Sequence, residues 1–309
     1  MREVSVLIIC LNINQELFMA LKSIANCDFP KRKYEVVVVY EQNNNVFKKG
    51  IIKFAKKQNL KLKIMKIPSK KGLGFNRNMA VKNSRGRYLA FTDADCKVPI
   101  FWLKLMYNEI KKTQDNVAAV VGGLKIPKYS FLSDSISKLG FPAGGSIGFE
   151  RMFYVDENSF TNHISTGNCI IKRKALVDIG NFDVNCKGIE DKDLALRLIK
   201  KKYKIKYLKG SYVFHPPNKS FKSFLKRNFI KGRDSYFFVI KHKGQIKTLG
   251  QNRLKSLKNI LSSNVSIEFP FILFLLVISY LLESAGYFYA MFLYFPTKVL
   301  KHIFRKIFK

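Results

Sequence analysis

The first two hundred residues alternate between two spacings of apolar positions. Residues 4–10 are a continuous apolar run of strand length, the pattern of a strand covered on both faces. Residues 15–24 change to helical spacing, with Leu17, Ala20, Leu21 and Ile24 on one side. Residues 34–39 read as a second buried strand, 49–58 as a helix, and 60–67 as a strand with one wet face. Residues 75–83 are helical and 88–92 give a fourth strand. This β-α-β-α-β-α-β order, with short connections, predicts an α/β fold: a twisted, mostly parallel sheet flanked by helices. Ligands of such sheets bind beyond the carboxyl ends of the strands, so the residues just after each strand are where chemistry is sought.

The alternation resumes at Asn168, where CIIKRKALVDIG predicts a strand and a helix closed by Gly180. A polar loop, a helix beginning near Glu190 and a strand over 204–208 follow. Residues 219–258 differ in character, with twelve Lys or Arg against one acid, Asp234, interleaved with phenylalanines. Over residues 265–296 the only charged side chains are Glu268 and Glu283. About 20 apolar residues cross a hydrocarbon core, so this segment is a membrane candidate. Glu283 divides it into runs of fourteen and thirteen residues, each too short to span alone. Basic residues flank it on both sides: Arg253, Lys255 and Lys258 before, Lys298, Lys301, Arg305, Lys306 and Lys309 after. Positive flanks prefer the cytosolic side, which favours a re-entrant or interfacial helical hairpin over a single span. A buried core hairpin of a soluble protein is the plainer alternative. At the other end, the run 4–10 reads as a strand rather than a secretory leader.

Charge sharpens this picture. The chain of 309 residues carries 56 Lys and Arg against 21 Asp and Glu, a net charge of +35. Such a chain meets something anionic: a nucleic acid, a membrane surface or a phosphorylated small molecule. No helix-turn-helix, zinc-finger or RNP pattern accompanies the charge, which speaks against nucleic acid. Residues 219–258, basic with aromatics between, suit a surface lying on anionic lipid; a solvated face packed on the rest of the protein is the bland reading. Five scattered cysteines without a CxxC pair fit a reduced, cytosol-facing setting rather than a disulfide framework.

Two acidic constellations stand out. Between Gln42 and Thr92 there is no Asp or Glu, and then the fourth strand ends in Thr92-Asp93-Ala94-Asp95. Two carboxylates this close repel unless a cation sits between them or one is protonated. Their oxygens suit Mg²⁺ or Mn²⁺ bound to a diphosphate, although acids capping a turn would look the same. The second constellation, Gly188-Ile-Glu190-Asp191-Lys-Asp193, loads the first turn of a helix with acids, as the helix dipole favours without any function. Asp193 and Arg197 are spaced i, i+4 and read as an ordinary surface pair. His215 follows the strand-like stretch 211–214.

Taken together and in order, these pieces resemble the family 2 inverting glycosyltransferases, which have the GT-A fold. The resemblance covers roughly residues 4–217. It rests on the opening VSVLIICLNINQELFMALKSI, on Gly72-Leu-Gly74-Phe-Asn-Arg77-Asn78-Met-Ala80, and on the strand ending in Asp93-Ala-Asp95. It continues through Thr166-Gly167-Asn168, Glu190-Asp191-Lys-Asp193-Leu and Val213-Phe-His215. The resemblance implies that Asp95 ligates a divalent metal, Mg²⁺ or Mn²⁺, while Asp93 holds the donor's ribose or assists the metal, and that His215 lies beside them. It implies Asp191 as the general base, with Glu190 as its neighbouring candidate, and puts Gly74 and Arg77 on the donor side and Gly167 and Asn168 on the acceptor side. The family's paired-Asp, Gly, Ser turn is replaced by Tyr40-Glu41-Gln42-Asn43, and Leu11, Asn12 and Ile13 stand where Thr and Asn are usual. Glu41 is then the candidate for recognising the nucleotide base, with uridine the first expectation and guanosine the second.

The expectation is a catalytic domain over 1–218, a basic membrane-surface segment over 219–264, an apolar membrane segment over 265–296 and a basic tail over 297–309. It would be a metal-dependent inverting transferase at the cytoplasmic face of the membrane. The donor would be a nucleotide-diphosphate sugar and the acceptor a lipid-linked, polyprenyl-type molecule. A soluble glycan or peptide acceptor, or a non-catalytic module that kept the fold, are the rivals.

Overall fold

A computed structural model describes residues 2–42, 44–141, 155–186, 188–242 and 268–294. One eight-stranded sheet organises the chain, in the order β3-β2-β1-β4-β7-β5-β8-β6. The strands are β1 (Val4–Asn12), β2 (Tyr34–Gln42), β3 (Leu62–Lys66), β4 (Tyr88–Asp93), β5 (Val117–Lys125), β6 (Phe160–Thr161), β7 (Asn168–Lys172) and β8 (Lys204–Phe214). The pairs β1–β2, β2–β3, β1–β4 and β5–β8 are parallel. β7 runs antiparallel between β4 and β5, and β6 antiparallel on β8, so the sheet is mixed and mostly parallel.

Helices cover both faces. On one lie α1 (Gln15–Ala25), α2 (Asn45–Lys57) and α4 (Trp102–Lys112), packed on Val4, Val6, Ile8, Val36 and Val38. On the other lie α3 (Leu73–Lys82), α6 (Arg173–Asp178) and α7 (Glu190–Lys200), packed on Leu7, Val37, Val39 and Cys169. Successive residues of β1 and β2 thus enter opposite cores, and the apolar run has no polar alternation because neither face is wet. A shorter α5 (Phe131–Lys138) follows β5. All five cysteines are buried and unpaired, as expected of a chain without a disulfide framework.

Two long helices complete the described chain, α8 (Phe221–Lys241) and α9 (Phe269–Tyr294). The expectation of a hairpin within 265–296 is corrected here, because α9 is one continuous helix through Glu283. The carboxylate does not interrupt it because Lys231 of α8 pairs with Glu283. The helices meet backbone to backbone: a Cβ on Gly232 would run into the Glu283 carbonyl, and one on Gly286 into that of Phe229. Small residues allow this approach, as between membrane helices. α9 is long and apolar enough to cross a membrane, with mean hydropathy 1.9 over its most apolar window, of which 22% is buried. The tail 297–309 and the basic residues Arg253, Lys255 and Lys258 lie outside the described residues.

Candidate active site

The parallel strands and the start of antiparallel β7 finish at one edge. Thr92 pairs with Asn168, and Lys125 with Phe214, so Asp93, Gly167 and His215 are gathered at the carboxyl ends of β4 and β8. There Asp93, Asp95, Cys96 and His215 each offer a ligand atom, all within 4.8 Å of one another. His215 Nε2 lies 3.8 Å from Asp95 Oδ1. Its Nδ1 faces the Pro216 carbonyl at 2.8 Å, a contact that favours a proton on Nδ1 and leaves Nε2 toward the carboxylates. Burial pushes the Asp93 carboxyl up; Arg77 and His215 pull it down, and Asp95 and Glu190 add to the rise. Burial, reinforced by both aspartates, holds the Cys96 thiol well above its ordinary value, and a soft sulfur is a poor ligand for a hard cation. What remains is two carboxylates and an imidazole with excess negative charge, a donor set that fits Mg²⁺ or Mn²⁺.

The second acidic set sits across Thr166 and Gly167. A Cβ on Gly167 would come 2.8 Å from Asp93 Oδ2, so a side chain there would displace that carboxylate. Thr166 donates to Asp191 Oδ2 from its amide at 3.0 Å and from its hydroxyl at 2.9 Å. Asp191 Oδ1 has no hydrogen bond and stands 3.7 Å from Arg77 Nη1. Arg77 is buried, pairs with Glu190 and donates to Thr166 Oγ1 at 2.6 Å. Burial alone would lower the guanidinium's pKa, but Asp191 and Glu190 outweigh it and hold the charge firmly.

Other positions singled out from the sequence have different surroundings. Glu41 accepts from Asn76 Nδ2 at 2.9 Å and from the Lys70 amide at 3.2 Å; Asn43 lies outside the described residues. Gly74 is a packing position, where a Cβ would come 2.6 Å from the Asp183 carbonyl. Asn168 is fully buried, accepting from Trp102 Nε1 and donating to the Gly123 carbonyl, both at 2.8 Å. It sets the position of Gly167 from inside the sheet. The guanidinium of Arg77 is committed to Glu190, Asp191 and Thr166.

The Asp193–Arg197 pair is present, with Nε to Oδ2 at 2.7 Å, but the expectation that it lies on the surface is corrected. Asp193 is fully buried and also binds Lys241 and His242, the latter at 2.9 Å, from the end of α8. Lys241 pairs with Asp183 as well. Gly188, at φ +77°, lies so close to Asp234 of α8 that a side chain there would collide with its carboxylate. Sequence reasoning missed Thr166 as a partner of Asp191, and missed the α8 contacts; the Thr-Gly-Asn string was the available signal for the first.

The sequence profile described as glycosyl transferase family 2 matches residues 5–180, more than half of the chain. The chain belongs to that family. Its fold is GT-A-like. Glycosyltransferase AglE of Haloferax volcanii is 28% identical over 189 residues, covering 57% of this chain and 62% of that protein. The poly(ribitol-phosphate) beta-N-acetylglucosaminyltransferase TarS of Staphylococcus aureus is 34% identical over 95 residues, covering 31% of this chain and 16% of that one. The matched part thus spans less than two thirds of either relative. Among solved structures, mannosyltransferase PcManGT from Pyrobaculum calidifontis, in complex with GDP-Man and Mn²⁺, superposes with TM-score 0.59 at 16% identity. That match covers 90% of this chain and 74% of the other. At such identity the likeness is one of fold.

Proposed function

We propose that this protein is a metal-dependent, inverting glycosyltransferase, and that it moves a sugar from a nucleotide-diphosphate donor to a lipid-linked acceptor at the cytoplasmic face of a membrane. The observation that carries the reading is the pairing of Asp93, Asp95 and His215 at one strand edge with Asp191 just across Thr166 and Gly167. Asp95, Asp93 and His215 would hold Mg²⁺ or Mn²⁺. A cation there supplies positive charge beside the leaving diphosphate. The PcManGT complex contains Mn²⁺ with GDP-Man, and a TarS complex contains UDP-GlcNAc; both support a nucleotide-sugar donor, with UDP the first choice.

Asp191 is the proposed base. Thr166 fixes Oδ2, Oδ1 is buried beside Arg77, and the side chain as a whole is 26% exposed. It takes the proton from the acceptor hydroxyl as that oxygen bonds to the anomeric carbon. The carbon–oxygen bond to the diphosphate breaks on the opposite face, the nucleoside diphosphate departs and the configuration inverts. Arg77 and Thr166 orient Asp191, and Glu190 balances Arg77. Glu41 is the candidate contact to the nucleotide base. Residues 1–218 would carry the chemistry, and the remainder would attach it to the membrane. Attachment raises the effective concentration of an acceptor confined to the same surface.

The test is nucleoside diphosphate release from a panel of UDP- and GDP-sugars, with Mg²⁺, Mn²⁺ or chelator, and with or without vesicles containing polyprenyl phosphate. Metal-dependent release from one donor, raised by the lipid acceptor, is expected. Undiminished release in chelator contradicts the metal, and indifference to the vesicles contradicts the lipid acceptor.

A further inference from the structure

The helix long enough to cross a membrane is held along the side of the catalytic domain. α8 is pinned to that domain at both ends. At its start, Phe224 packs with Ile136 and Leu139 and edges against Phe141 at 5.3 Å, while Ser133 of α5 donates to the Asn218 carbonyl just before it. At its finish, Lys241 and His242 bind Asp193 of α7, and Phe238 packs on Cys186 and Ile189. α9 runs alongside in the same direction. Ile272 and Leu275 share the cluster of Phe224, Glu283 meets Gly232 and Lys231, and Tyr294 stacks edge-on against Phe237 at 4.9 Å. Its own first turn is tied to α5 by Lys138–Glu268 and by Phe131–Phe271, centroids 5.1 Å apart.

A crossing α9 would therefore take α8 down with it. Lys222, Lys226, Arg227, Lys231, Arg233 and Lys241 lie on that helix, and a charged side chain at mid-bilayer costs roughly 3 kcal/mol even on the most lenient scale. The buried contacts to α5 and α7 would have to be given up or immersed too. Meanwhile the side of α9 turned away from α8 is apolar and open along its length: Leu273, Phe274, Val277, Leu281, Phe288 and Phe292 are all exposed. α8 is rich in Lys and Arg and α9 leaves an apolar side open, in a chain of net charge +35 that complements anionic lipid.

We propose that α9 lies in the plane of one leaflet of an anionic bilayer, so that the catalytic domain rests on the membrane surface along the whole helix. This rests on the membrane association proposed above and specifies its geometry. Both ends of α9 then stay on the same side of the bilayer without a turn at Glu283. The strand-edge site is held at a fixed distance from the surface because α8 also grips α7, the helix that carries Asp191.

Nitroxide labels at Leu273→Cys, Leu281→Cys and Phe288→Cys of the full chain test this on vesicles of phosphatidylcholine and phosphatidylglycerol, with Lys226→Cys as a reference. These positions are exposed, and all five native cysteines are buried. Relative access of oxygen and of a water-soluble nickel chelate gives depth. All three apolar-side labels are expected at one shallow depth, about 5–10 Å below the headgroups. A gradient through the bilayer, across the ~22 Å that fifteen helical residues span, would overturn the in-plane placement and keep membrane association. Water-like access at all three would overturn both. Labels shielded from both reagents would mean a protein partner on this face, and would overturn the proposal.

Discussion

Two acidic sets face each other across Thr166 and Gly167, and they are balanced in opposite ways. Glu190, Asp191 and Asp193 are met by the protein's own cations: Arg77 by the first two, and Arg197, Lys241 and His242 by the last. Asp93 and Asp95 make no ion pair with a Lys or Arg among the described residues: Arg77 acts on Asp93 only from beyond pairing distance, and His215 stands 3.8 Å from Asp95. Close carboxylates without countercharge are costly to keep ionised. A set whose countercharge is built in is held in a fixed orientation, the proposed base Asp191 included, while a set left short of it is suited to a cation that arrives with the substrate.

The sharpest way to break this contrast is to remove the unbalanced set. Asp95→Ala should cut transfer by about 10⁴-fold, because a metal's electrostatic help amounts to several kcal/mol; initial-rate assays at saturating Mn²⁺ read this. Asp191→Asn keeps the shape and removes the proton acceptor, so turnover should fall about 10²- to 10⁴-fold. Its KM for donor should hardly move, and near-normal turnover would place the base elsewhere. Asp193→Asn strips the buried countercharge from Arg197, Lys241 and His242. It should cost about 3 kcal/mol of stability in urea unfolding, because one partner of a buried network is lost, while the fitted metal dependence of the remaining activity stays unchanged.

The smallest effect is on pH. Burial alone would raise the Asp193 carboxyl, but hydrogen bonds from Lys241 and Arg197 outweigh it and hold it below the usual range. Its contribution is then complete above the unfolded value near pH 4, and is lost as pH falls through the lower folded value. Burial would lower Lys241, but Asp183 and Asp193 hold it above its usual range, so its contribution is lost only as pH rises through that folded value. Thermal midpoints should fall on the acid side in the wild type and fall less in Asp193→Asn; equal acid limbs would contradict the buried pairing.

The first half of the fold was legible because its periodicity is local. β1 to β4 and α1 to α3 lie within a few residues of their expected places, since strands covered on both faces and helices with one apolar side write their burial directly into spacing. The antiparallel direction of β7 was not legible, because a run such as CIIK has no direction of its own. Among the candidate site residues, the strand-end aspartates and the Glu190-Asp191 turn stand out in the sequence by type and spacing. Asp193 was misplaced because the groups that bury it, Lys241 and His242, come from about fifty residues later in the chain. The break expected at Glu283 failed for the same reason: its partner, Lys231, lies on another helix.

The central claim, that the unbalanced set takes its countercharge from a divalent cation, is tested most directly by Mn²⁺ binding, read by electron paramagnetic resonance in the presence of UDP. One Mn²⁺ per chain is expected for the wild type and for Asp193→Asn, with binding lost in Asp95→Ala. Mn²⁺ bound equally well by Asp95→Ala, or lost in Asp193→Asn while that protein remains folded, would contradict the account.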